Sequence, residues 1–208
     1  MSKAQEELAL CEKAQRKDRA IQRDNAVFQT ATDARRRIII AKDVIKWLNT
    51  GRLVASHVYM GLSRRSARQL RMYSDPGIEA DSSLRDEKTV NGFTCVACGI
   101  GSLLACAVER GAVDKLGLME LRGAKSIWEK LAKLWNIDQL ARIEAAYEGG
   151  SSYVSGGTPS EPRSKLDFEV WEQCCLWRCT IVNDEERMRA IMANIIANGG
   201  DFKPEMLP

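Results

Sequence analysis

At 208 residues, with 45% hydrophobic and 28% charged side chains, the chain has the make-up of an ordinary globular protein and enough apolar residues for one sizeable core. No run reaches the ~20 uncharged apolar residues that span a bilayer, and the start MSKAQEELAL is charged where a signal peptide is apolar, which sets the expectation of a cytoplasmic protein with no membrane contact. The formal charge of +3 is uneven: residues 1–90 carry 18 Lys/Arg against 12 Asp/Glu and residues 91–208 carry 13 against 16, so an acidic partner would meet the first half.

Residues 2–29 are rich in Ala, Glu, Gln, Lys and Arg and hold neither Gly nor Pro, which favours helix. Leu8, Cys11, Ala14 and Ile21 form only a thin apolar stripe. The pattern predicts an N-terminal helical arm over 1–30 that projects, packs on the body, or oligomerises by pairing with another chain. A second helix is predicted over 33–48, with Thr32 or Asp33 as its cap, Asn49 and Gly51 at its exit, and Ile38, Ala41, Val44, Ile45 and Leu48 on one face. Arg35, Arg36 and Arg37 sit in its first turn, where the helix dipole disfavours cations. They are either a solvated face or a place for an anionic partner.

LVASHVYM (53–60) is β-branched and aromatic enough for a short strand or hairpin. In GLSRRSARQLRMYSDPG the residues Arg64, Arg65, Arg68 and Arg71 recur at spacings of three and four, so a helix would align them beside Tyr73. With Arg35 to Arg37 they are the candidate binding residues, positioned to meet nucleic-acid phosphate while Tyr73 or Trp47 stacks on bases.

FTCVACGIGSLLACAVERG (93–111) is the most apolar run, and it predicts a helix over 95–110 buried on most sides. Further helices are expected across 126–147, broken at Asn136, and over 166–179; GGSSYVSGGTPSEPR (149–163) reads as a flexible linker. The last helix, 183–198, has the clearest grammar: Asn183 and Glu186 form a capping-box variant, Met188, Ile191, Met192, Ile195 and Ile196 repeat at helical spacing, and Asn198-Gly199-Gly200 ends it. The expected architecture is mainly α, a single helical domain over 31–208 built around the buried central helix.

Three cysteines in the apolar run raise three chemistries. Zinc at Cys95 and Cys98 would need a second half from Cys174, Cys175 or Cys179, but CCLWRC lacks the paired spacing and His57 is the chain's lone histidine. Cys98 as a nucleophile with His57 as base lacks any hydrolase signature around it. Gly99-Ile100-Gly101-Ser102 would cradle a phosphate or a nucleotide-like signal molecule at a helix start, yet neither the P-loop nor the dinucleotide fingerprint is met. The reading adopted is that Cys95, Cys98 and Cys106 fill the core, with no catalytic residue, metal or cofactor expected.

Four segments carry a resemblance: IAKDVIKWL (40–48), CVACGIGSL (95–103), QLARIEAAYE (139–148) and RMRAIMANIIANGGDFKP (187–204). In these the chain resembles a group of small proteins encoded by bacteriophages and related mobile elements, across most of residues 38–204. The resemblance carries over no catalytic residue. It implies a phage or prophage origin and an accessory protein that binds host machinery, such as a defence system, or sequesters a small signalling molecule; a nucleic-acid-binding accessory role through the arginines is the alternative.

Overall fold

Asp33, acidic in the first turn, opens an 18-residue helix, α2 (Asp33–Thr50), in a computed structural model that describes residues 22–57, 61–63, 94–113, 124–148, 166 and 168–206. The chain divides into two compact units, 1–32 and 33–208. In the first, residues 22–30 are helical (α1), and Thr30 Oγ1 donates to the Ala26 carbonyl at 3.0 Å at its end.

The second unit is mainly helical. Its α2 buries Ala41, Val44 and Leu48 of the predicted face, leaves Ile38 and Ile45 half-buried and buries Ile40 outside that face, and Gly51 at φ 71° turns the chain out of the helix. A three-stranded sheet follows in the order β1 (Leu53–Ala55), β3 (Thr94–Ala97), β2 (Gly61–Ser63). β3 is central, parallel to β1 with Leu53 opposite Cys95, and antiparallel to β2 with Leu62 opposite Cys95. The helices are α3 (Gly99–Glu109), α4 (Ala124–Leu131), α5 (Ile137–Glu148), α6 (Phe168–Thr180) and α7 (Asp184–Ala197). α2 packs on α3 and α7, α5 lies against α6, and α3 also meets α4 and α5.

The run predicted as one helix over 95–110 is divided. Thr94–Ala97 is a strand, and the helix starts at Gly99. A central strand covered on both faces shows no polar alternation, so its apolar residues read like the start of the buried helix behind it. The β-branched Thr94 and Val96 were the local hint. Similarly, Gly61–Ser63 is strand where the segment with the arginines reads as helical. The expectation that α3 is central holds: Ile100, Leu103, Leu104, Cys106 and Ala107 are fully buried.

Long polar side chains then pin the elements together. Arg110, just past α3, grips Asp43 of α2 with two bonds, Nε to Oδ2 at 2.6 Å and Nη2 to Oδ1 at 2.8 Å, the bidentate geometry that makes guanidinium–carboxylate pairs strong. After α7, the chain folds back. Asn194 donates to the Lys203 and Met206 carbonyls at 3.0 Å and accepts from the Lys203 amide at 2.9 Å. Phe202 meets the Trp177 ring edge-on at 5.0 Å, and Trp177 Nε1 donates to the Pro204 carbonyl at 2.8 Å.

Candidate functional site

The thiols of the apolar run lie inside the fold. Cys95, Cys98 and Cys106 are buried, and burial pushes Cys95 up to about 12 from an ordinary 9.0, against a small opposing pull from Arg52. Cys98 and Cys106 are also raised by burial, with Glu148 and Glu144 adding to Cys98, and Asp43 and Glu109 to Cys106. A thiol held protonated is a poor nucleophile and a poor metal ligand. Among the described residues no group of three or more His, Cys, Asp or Glu side chains is placed to hold a metal ion. On α6, Cys174 is buried and likewise raised to about 12 by burial, Cys175 is half-buried and Cys179 is exposed.

The glycine-led start of α3 is filled from within. Cys98 is its N-cap, and its Sγ accepts from the Gly101 amide at 3.4 Å. The Ser102 amide bonds the Cys98 carbonyl at 2.9 Å, and Ser102 Oγ donates to the Gly99 carbonyl at 2.7 Å. A Cβ on Gly99 would meet Tyr147 Cβ at 3.2 Å, so this glycine serves close packing against α5. A phosphate would have to displace that packing.

The candidate arginines of α2 have partners inside the fold. Arg37 donates to the Leu134 carbonyl at 3.0 Å and pairs with Asp201 at 2.9 Å, which joins α2 to the loop before α5 and the tail after α7. Arg36 pairs with Asp33 at 3.5 Å within the first turn, and Arg35 is exposed. Trp47, considered for stacking on bases, is covered by the Arg52 guanidinium 4.0 Å from its ring centroid. Arg64, Arg65, Arg68, Arg71 and Tyr73 lie outside the described residues, as does the linker at 149–163.

A polar cluster that the sequence reading missed gathers at the end of β1. His57, half exposed, has Nδ1 3.1 Å from Glu148 Oε2 at the C-terminus of α5 and Nε2 3.2 Å from Asp184 Oδ2 at the start of α7. Beside it, Tyr147 donates its hydroxyl to the Ser56 carbonyl at 3.2 Å, and its ring lies 6.3 Å from the imidazole. Burial, with Asp184 adding, raises the Tyr147 phenol far above its ordinary range and keeps it neutral.

Arg187, fully buried, completes the cluster. It pairs with Asp184, donates to the Ile181 carbonyl at 2.7 Å and the Val182 carbonyl at 3.1 Å, and stands 5.0 Å over the Tyr147 ring. Arg178 of α6 donates to the Glu148 carbonyl. Glu148 lies 91 positions from His57, and no local spacing links them; only the fold brings them together. The cluster thus joins an imidazole, two carboxylates, a neutral phenol and a buried guanidinium from three parts of the fold.

Exposed apolar side chains stand on α6 and in the loop that follows it. Leu176 on α6 is 46% exposed, Cys179 one turn on is exposed, and Val182 in the α6–α7 loop is 81% exposed. Among the described residues no helix is long and apolar enough to cross a membrane. Comparisons with family models, with curated proteins and with solved structures give no match.

Proposed function

We propose that the protein is a phage-type accessory protein that acts by binding, inhibiting or modulating a host protein such as a component of a defence system. The observation that carries this reading is the exposed strip Leu176, Cys179 and Val182, a helix face running into a loop and rimmed by Gln173 and Thr180. A scattered surface leucine is unremarkable, but exposed apolar side chains at helical spacing, with polar neighbours, are the usual make-up of an interface core and its rim. Support comes also from the occupied chemistry elsewhere: Arg37 is spent on the fold, and the thiols of β3 and α3 are sealed.

The test is affinity capture from a bacterial lysate with the wild-type chain and a Leu176→Glu/Val182→Glu variant. The expected result is one host protein retained at high salt and lost with the variant, with affinity reduced at least about tenfold. Retention that nuclease treatment removes, or that the double variant leaves intact, would contradict the reading.

A further inference from the structure

We infer that the strip Leu176, Cys179 and Val182 receives a basic amphipathic segment of another protein, with apolar side chains at its centre and Lys or Arg at its edges. The inference rests on the binding reading above and adds the chemistry of the partner. Glu169, Glu172, Leu176 and Cys179 are spaced by three, four and three, so they share one face of α6, and all four are exposed. The opposite face is the packed one. There Cys174 and Trp177 are fully buried, α6 rests on α5, and Trp177 Nε1 holds the Pro204 carbonyl.

The outer face therefore has two halves, carboxylates first and apolar groups after them, running into Val182. Beyond Val182 the first turn of α7 is Asp184, Glu185 and Glu186, of which Glu186 is exposed. Among the described residues from 169 to 186 no Lys or Arg is exposed; the cation of α6, Arg178, is half-buried and donates to the Glu148 carbonyl. The apolar strip is thus bounded by negative charge before it and after it along the chain.

These charges decide between occupants. Covering Leu176 and Val182 takes water from the carboxylates at the rim, which costs free energy unless a cation meets them. An acidic protein, a nucleic acid or an anionic lipid surface brings like charge instead. A second copy fares no better. Laid antiparallel and centred on Leu176, it sets Glu169, about 10 Å from the centre, against Asn183 and the acidic turn behind it. Laid parallel, it sets Glu169 and Glu172 against themselves.

The test is a selection of linear peptides from a random display library on the wild-type chain, with those that also bind Leu176→Glu/Val182→Glu removed. The survivors are expected to carry net positive charge around apolar residues. Their affinity for the wild-type chain is expected to fall at least about tenfold between about 0.05 M and about 0.5 M salt, a comparison that needs no variant. A similar loss is expected against Glu169→Gln/Glu172→Gln/Glu186→Gln. Survivors that are neutral or acidic, affinities that neither salt nor the neutralised variant changes, or no survivors at all would overturn the inference. So would a chain that light scattering finds dimeric as wild type and monomeric as Leu176→Glu/Val182→Glu, which gives the strip to a second copy. Neutral or acidic peptides that still need the strip sink the charge assignment alone, whereas a host protein captured equally by the double variant sinks the binding reading.

Discussion

Glycine 200 shows how a single residue can hold two segments in place. Its φ of 101° lies in a region that side chains rarely adopt, and a Cβ built there would stand 2.5 Å from the Ala34 carbonyl oxygen at the start of α2. Gly200→Ala is therefore expected to destabilise the chain by more than about 1 kcal/mol, read as a lower urea midpoint with unchanged slope. By contrast Gly199, at φ 70° with open space around it, carries only the backbone cost. Asn194 is the other such residue, because its one amide satisfies three backbone groups of the returning tail. Gly200 and Asn194, with Phe202 and Pro204, lie in the segment 187–204, and each has structural work to do.

At the scale of elements, what was legible in the sequence is what is local. The last helix was readable because its signals lie within four residues of each end: Asn183 Oδ1 accepts from the Glu186 amide at 3.0 Å, and the glycines that stop it follow at once. Asn183→Ala is expected to cost about 1 kcal/mol by chemical denaturation, the ordinary worth of such a cap. The break at Asn136 was readable for the same reason, its Oδ1 accepting from the Gln139 amide at 2.7 Å. β3 was not, because burial on both faces erased the period of two that marks a strand. Nor was the His57 cluster, whose carboxylates come from two helices distant in sequence. The partners of Arg37 were hidden likewise: a guanidinium in a first turn looks solvated until the fold delivers Leu134 and Asp201 to it.

Among the described residues of the larger unit, the thiols of Cys95, Cys98, Cys106 and Cys174 are buried, while Leu176, Cys179 and Val182 on α6 and its following loop are exposed. The helices wrap a short sheet whose middle strand supplies Cys95 to the same dry centre as Cys98 and Cys106 from the α3 end. Burial keeps the thiols of Cys95, Cys98, Cys106 and Cys174 protonated. Iodoacetamide labelling of the folded chain, read cysteine by cysteine by peptide mass at pH 7 and again at pH 9, tests this most directly. The account predicts that Cys179 takes the label while Cys95, Cys98, Cys106 and Cys174 stay unlabelled at both pH values until denaturant is added, since burial holds Cys95 and Cys174 protonated to about 12. Labelling of Cys98 in the folded chain as fast as Cys179 would contradict it.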